Sequence, residues 1–256
     1  MRFRPCIDIH NGRVKQIVGS SLSDRGDTAD ENYVSDKDAA YYASLYRERG
    51  LDGGHVILLN PRDSVHYEAT REQALAALRA YPGGMMAGGG IDPENAKVFL
   101  EAGASHVIVT SYVFKDGRID RRALSAMEKA VGREHLCLDL SCRRRGTEHY
   151  IVTDRWQRFT DETLDAGILD FFADHASEFL IHAVDTEGKQ QGIDEDIIPV
   201  LKTSTVPVTY AGGVGTLGDI IRLKEAGDGR IDVTVGSALN IFGGTLDIEE
   251  ILRCIS

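Results

Sequence analysis

Residues 85–92 read MMAGGGID and residues 209–215 read TYAGGVG. In each, a short apolar run stops at Ala-Gly-Gly, the mark of a buried strand that leaves its sheet through a tight turn. The same doubling runs through the rest of the chain. Cys6-Ile7-Asp8-Ile9 recurs as Cys137-Leu138-Asp139-Leu140, Gly88 has its counterpart in Gly212, and Ser111 of VIVTS has its counterpart in Ser237 of VTVGS. The offsets of 131, 124 and 126 residues are nearly constant, so these pairs are corresponding elements of one repeat.

Around these landmarks, apolar β-branched runs alternate with segments of helical period. Strands are expected at 6–9, 55–59, 85–87, 106–110, 135–140, 179–184, 206–211 and 232–236, with helices among others at 36–49, 68–80, 93–102, 215–225 and 247–254. The runs are continuously apolar, as strands of a parallel sheet covered on both faces require. Eight β-then-α units in 256 residues predict an α/β fold, a single-domain (β/α)8 TIM barrel with an internal half-barrel duplication, the halves being about 1–130 and 131–256. No Pro-, Ser- or Gly-rich linker divides the chain. Two polar segments, 19–33 and 141–159, are too long for simple turns; both follow strands and are expected to hang as loops over the catalytic face.

Charge and composition exclude several classes. A net charge of −11 argues against nucleic acid or an anionic membrane as partner, so any anionic ligand must be held locally. No run reaches the ~18 apolar residues of a membrane span, and the N-terminus lacks the apolar stretch of a signal peptide, which predicts a cytoplasmic protein. Cys6, Cys137, Cys142 and Cys254 show no paired metal spacing and read as reduced thiols, with no metal expected. The three cations Arg143-Arg144-Arg145 read either as a solvated loop or as a ligand clamp.

In a barrel of this kind, the loop after strand seven and the turn after strand eight form an anion site, where glycine lets backbone N–H groups and a short helix N-terminus approach a phosphate. Gly212-Gly213 with Gly236-Ser237 fit that site, and the repeat places a second one at Gly88-Gly89-Gly90 with Thr110-Ser111. Each glycine cluster taken alone is equally a tight turn; the two in register point to a substrate with a phosphate at each end. Asp8 and Asp139 end strands one and five on opposite sides of the mouth. A carboxylate in an apolar run serves either as a cap or as chemistry, and two at symmetric positions between two anion sites point to a general acid and base.

The motifs PCIDIHNGRVKQIVG (5–19), AGGGID (87–92), VIVTS (107–111), LDLSCR (138–143), FLIHAVDTEGKQQGID (179–194), YAGGV (210–214) and VGSALNIFGG (235–244) together resemble a known family. It is the family of histidine-biosynthesis isomerases acting on phosphoribosylformimino-aminoimidazole carboxamide ribotide, in its eukaryotic-type branch. The resemblance implies an Amadori rearrangement of an aminoaldose to an aminoketose without metal or organic cofactor, by a monomer acting on a small bisphosphorylated substrate. It makes Asp8 the general base and Asp139 the general acid, an assignment that the symmetry of the two positions leaves exchangeable. It places phosphate on Gly89, Gly90, Thr110 and Ser111 and on Gly212, Gly213, Gly236 and Ser237, and it stacks Trp156 on the substrate, where a hydrophobic pin for the loop is the other reading.

Departures from the commoner bacterial pattern fall at Leu59-Asn60-Pro61-Arg62, at His182-Ala183-Val184-Asp185 and at Glu187-Gly188. His182 either hydrogen-bonds substrate or is a satisfied core histidine; Glu187-Gly188 reads as loop geometry. The homologous cyclase of the next pathway step shares both aspartates and both phosphate sites but also needs ammonia from a glutaminase partner. The motifs after strands five and six match the isomerase. A phosphosugar-binding protein without turnover is the reading from another class, and the presence of both acids stands against it.

Overall fold

A β-branched run between two helical segments can satisfy its backbone only by pairing with the next such run, and eight of them do so here in sequence order. In the computed structural model, which describes residues 1–17, 30–154, 156–186 and 192–256, these are β1 (Cys6–His10), β2 (Gly54–Leu58), β3 (Met85–Gly88), β4 (Val107–Val109), β5 (Leu136–Asp139), β6 (Glu178–His182), β7 (Val208–Ala211) and β8 (Ile231–Val233). Each pairs in parallel with its successor. The ring is then closed: Phe3 and Val233 form a parallel bridge, with Arg4 N–H donating to the Val233 carbonyl at 2.8 Å and Val233 N–H to the Arg2 carbonyl at 2.9 Å. Closure leaves the eight barrel strands without an open edge, and the predicted α/β barrel is the observed one.

Alternation along the strands sorts side chains into two cores. Ile7, Ile9, Val56, Leu58, Leu136, Leu138, Phe179 and Ile181 belong to the large core that also takes in residues of the surrounding helices. Met86, Ile108, Cys137, Leu180 and Ala211, with Ile57, fill the barrel's interior. The helices are α1 (Ala39–Glu48), α2 (Tyr67–Ala80), α3 (Ala96–Glu101), α4 (Arg121–Val131), α5 (Ala166–Ala173), α6 (Ile198–Leu201), α7 (Leu217–Ala226) and α8 (Ile248–Ile255). Five of them start at a side chain that accepts from the first turn's amides, namely Asp38, Asp120, Asp165, Thr216 and Asp247. No helix among the described residues is long and apolar enough to cross a membrane.

Three expectations need correction. Most of the strands are shorter than the apolar runs suggest, because the runs continue into the turns at the mouth: Thr110 already leaves the extended region and leads a 3-10 turn, Ser111–Val113. Helix α3 starts at Ala96 instead of 93, since the Asp92 carboxylate takes the amides of Glu94 and Asn95 and holds those residues in a turn. The segment 141–159 is not a loop. Cys142–Arg145, Glu148–Thr153 and Arg158–Thr163 form a three-stranded antiparallel sheet, turned at Gly146 in the left-handed region. Of the other long segment, 19–29 lies outside the described residues, as does Glu187-Gly188. Its end, Glu31–Val34, pairs antiparallel with Arg13–Ile17, which itself folds back on β1. Since β1 and β5 are each followed by an antiparallel extension, we propose the half-barrel boundary near residue 130.

The floor of the barrel is ionic. Arg4, 3% exposed, donates from Nε to Asp232 at 2.9 Å and places Nη2 3.1 Å from Glu178 Oε1; Arg2 adds a second cation 3.1 Å from Asp232. The Arg4–Glu178 approach is not aligned as a hydrogen bond on Oε1, so burial outweighs the pull of Arg4 and pushes the Glu178 carboxyl up to about 6. A carboxyl whose folded value lies above its free value binds protons more tightly in the folded chain. Its contribution is therefore full well below pH 4.5 and is lost as pH rises through 6, about 2 kcal/mol in all. Urea unfolding across that range should show wild type losing stability relative to Glu178→Gln by this amount; parallel pH profiles for the two proteins would refute the assignment.

Candidate active site

All eight strands point their C-terminal ends at one mouth, and there a cavity of about 950 Å³ opens. It is lined by each of the twelve residues singled out from the sequence: Asp8 and Asp139, Gly89 and Gly90, Thr110 and Ser111, Trp156 and His182, Gly212 and Gly213, Gly236 and Ser237.

The two aspartates project inward from β1 and β5, four strands apart in the ring. Gln16 Nε2 reaches Asp8 Oδ2 at 3.4 Å. Gln16 is 4% exposed and comes from the strand that folds back on β1; a Cβ on Gly236 would stand 2.4 Å from its Oε1, so glycine at 236 makes room for it. Asp139 is held differently. Its Oδ1 accepts from the Ser141 amide at 2.9 Å and the Ser141 hydroxyl at 2.5 Å, and His182 Nδ1 lies at 3.5 Å. Burial alone raises this carboxyl, but the charge of His182 and the hydrogen bonds from His182 and Ser141 outweigh it and hold Asp139 below the usual carboxylate range. Behind the pair, His55 on β2 is pushed down to about 3, by burial first and His182 second, and stays neutral. Trp156, at φ +66° in the turn between the second and third strands of the antiparallel sheet, lays its ring 5.4 Å from that of His182. The turn is tied to the barrel where Asp154 N–H donates to Ser111 Oγ at 3.0 Å.

At the glycine-rich ends, chain packing and ligand access separate. A Cβ on Gly89 would stand 2.0 Å from the Leu58 carbonyl oxygen, and one on Gly213 2.0 Å from that of Gly192, so glycine is required at both by the backbone itself. Gly90 differs: it is left-handed, φ +65°, and its Cβ direction meets nothing within 4 Å. After β3 and β7 the turns that lead into α3 and α7 are held by carboxylates. Asp219 accepts from the amides of Gly215 and Thr216 at 2.9 and 2.8 Å, as Asp92 does from Glu94 and Asn95. Asp92 holds amides that follow it and Asp219 amides that precede it, and each carboxylate has its own arginine: Arg62 at 2.6 Å from Asp92, and Arg222 on Asp219.

Arg143, Arg144 and Arg145 are neither a solvated loop nor a clamp on the cavity. Arg143 bonds Asp185 and Arg144 pairs with Asp194 and Asp196, fastening the antiparallel sheet to the segment after β6, while Arg145 stacks 4.0 Å over the Phe159 ring within the sheet. Sequence reasoning missed Gln16, His55, Arg62, Asp92 and Thr234 on the cavity wall. Thr234 Oγ1 is buried with no hydrogen-bond partner among the described residues, an unmet group at the site. His55 carried a signal, a polar residue at an inward position of the run GHVIL.

The sequence matches the histidine biosynthesis protein family over residues 2–246. It is similar to the chloroplastic 1-(5-phosphoribosyl)-5-((5-phosphoribosylamino)methylideneamino)imidazole-4-carboxamide isomerase of Medicago truncatula, 51% identical over 98% of this chain and 81% of the relative. The isomerases of the same name from Neurospora crassa and Saccharomyces cerevisiae are 44% and 40% identical, over 95% and 96% of this chain and 93% and 94% of theirs.

Gly90 gives the clean test of an anion at the β3 rim. Gly90→Ala should fold at a cost of about 1 kcal/mol for its left-handed backbone. It should weaken a bisphosphorylated ligand about tenfold, as measured calorimetrically, while sparing a monophosphate that binds only the β7–β8 end. Equal affinity of wild type and variant for the bisphosphate would remove phosphate from that rim.

Proposed function

The chain belongs to the histidine biosynthesis protein family, and from this premise we propose that its cavity carries out an Amadori rearrangement of a substrate with a phosphate at each end. It is an isomerase of histidine biosynthesis. The relatives' printed name contains two 5-phosphoribosyl groups, one joined through an amine, and such a molecule carries its phosphates at opposite ends with the reacting aminosugar between them. The single observation that carries the reading is the placement of Asp8 and Asp139 on opposite walls of a cavity whose rim also holds both repeated glycine ends.

In the proposed scheme, a proton from the Asp139 side reaches the sugar ring oxygen, the C1–O bond breaks and the nitrogen lone pair forms the C1=N bond of a Schiff base. Asp8 removes the C2 proton to give the enolamine, then returns a proton to C1 as the C2 hydroxyl becomes the ketone. In this scheme the protein's side chains move only protons and the substrate's own nitrogen supplies the electron pair, so it calls for neither metal nor organic cofactor. Thr234 Oγ1, unmet and on the wall, suits a sugar hydroxyl. We take the phosphates to lie against Gly89, Gly90, Thr110 and Ser111 at one end and Gly212, Gly213, Gly236 and Ser237 at the other, with Trp156 over the middle. We take the protein to act as a cytoplasmic monomer on this small molecule, without nucleic acid or membrane. Its net charge of −11 and the scatter of its exposed large apolar side chains, Tyr41, Val65, Tyr112 and Ile221, support that reading.

Purified protein should convert the aminoaldose to the ketose without ammonia or a glutaminase. Turnover of the ketose with ammonium salts and none of the aminoaldose would select the cyclase instead. Asp8→Asn and Asp139→Asn should each lose at least ~10²-fold in kcat with little change in substrate affinity; near-normal turnover in either would sink the acid–base pair.

A further inference from the structure

Trp156 sits in a turn that needs outside support. Asp154 at φ +52° and Trp156 at φ +66° are both left-handed without being glycine, a conformation that persists where the surroundings hold it. The body of the antiparallel sheet is fastened on two sides. On the β6 side, Arg143 bonds Asp185 and Arg144 pairs with Asp194. On the β4 side, Asp161 N–H donates to the Gly117 carbonyl at 2.7 Å and Arg118 Nε to Asp161 Oδ2 at 3.1 Å. The turn itself is tied by the Asp154 N–H on Ser111 Oγ, at 3.0 Å, and Ser111 lines the cavity beside Gly89, Gly90 and Thr110.

A serine hydroxyl has one proton to give and two lone pairs. One lone pair of Ser111 takes the Asp154 amide, and its proton meets no acceptor among the described residues. Ser111 is exposed at the mouth. The unprotonated oxygens of a phosphate can only accept, so they call on that proton and leave the Asp154 bond in place. Donating and accepting through one oxygen polarise each other, so each bond strengthens its neighbour. We propose that Ser111 is the positioning residue of Trp156: its hydroxyl donates to the phosphate at the β3–β4 rim and accepts from the backbone of the Trp156 turn, so that filling the rim fixes the ring. This rests on the placement of phosphate in the reading above.

The turn reaches from Ser111, after β4, to the ring contact between Trp156 and His182, at the end of β6. It thus crosses the end of β5, the strand that lies between those two in the ring and carries Asp139. A phosphate at one end of the ligand thereby sets an aromatic ring over the wall where the sugar reacts. A ligand without that phosphate leaves the Asp154 bond unreinforced. Binding energy from a remote group is in this way spent on positioning, so a substrate lacking it loses kcat as well as affinity.

Trp156 is the single tryptophan of the chain, so tryptophan emission reports this ring alone. Inorganic phosphate, its binding followed by calorimetry, should shift the emission of wild type and of Ser111→Thr, which keeps the hydroxyl. At saturation it should leave the emission of Ser111→Ala unchanged. With the aminoaldose at saturation, Ser111→Ala should lose about tenfold in kcat, and no more than about twofold in a Trp156→Leu background, as coupled neighbours behave. This kinetic comparison also decides the matter where Ser111→Ala no longer holds the free ion. No emission shift in wild type, an equal shift in Ser111→Ala, or the same kcat loss with and without Trp156 overturns the Ser111 link while leaving the isomerase reading intact. A wild-type protein that converts no aminoaldose overturns that reading, and the phosphate titration, which needs no turnover, then tests the link without it.

Discussion

The Phe3–Val233 bridge is the contact on which the site depends. Seven parallel pairings alone would make an open sheet with β1 at one side and β8 at the other; Asp8 would then sit near an edge and Asp139 in the middle, on a common face with nothing between them. Closing the ring bends that face into an interior and sets the ends of β1 and β5 across a mouth. The chain termini do this work. Arg2 and Arg4 come from the start and Asp232 from the last strand, so the backbone closure and the ionic floor beneath it fasten the same seam. The cavity opens at the opposite end of the barrel from this floor.

An anionic substrate in a chain of net charge −11 needs local neutrality. The two glycine-rich rims reach it in the same way. In each, an aspartate, Asp92 or Asp219, holds the turn that leads into the next helix, and each aspartate is met by an arginine, Arg62 or Arg222. The carboxylates take up the amides of these turns and the arginines offset the carboxylates' charge. Arg62 belongs to the segment where the sequence departs from the bacterial pattern, and this pairing gives it a physical role there: it also donates to the Gly90 carbonyl at 3.0 Å.

What the sequence made legible is what lies along single strands. Asp8, Asp139 and His182 stand out as polar residues in apolar runs, and the glycines mark where those runs turn, so the fold and the part of the cavity wall that ends strands could be read without any long-range contact. The antiparallel sheet over the mouth could not. Its first strand is Cys142-Arg143-Arg144-Arg145, a charge run by composition, and it becomes a strand only because Asp185, Asp194, Asp196 and Phe159 meet those arginines from elsewhere in the chain. Gln16 and Thr234 were invisible for the same reason: what makes them part of the site is a neighbour across the ring, or the lack of one, and no spacing in the sequence records that.

The two aspartates begin as equals and the barrel makes them different. In the first half, Asp8 registers with Ile57 on β2; in the second, Asp139 registers with Leu180 on β6. Two residues further toward the mouth, on the same side of each neighbouring strand, these lead to Leu59 and His182 respectively. The position beside Asp139 therefore holds a group that can carry a proton, and its counterpart beside Asp8 holds an aliphatic side chain that cannot. The antiparallel extensions add to the difference. The one after β1 delivers the amide of Gln16, while the chain leaving β5 delivers the hydroxyl and backbone amide of Ser141. A symmetric duplication gives two identical carboxylates and no reason for a proton to move one way. Leucine at one of these positions and histidine at the other give the two carboxylates different surroundings at the same level of the barrel.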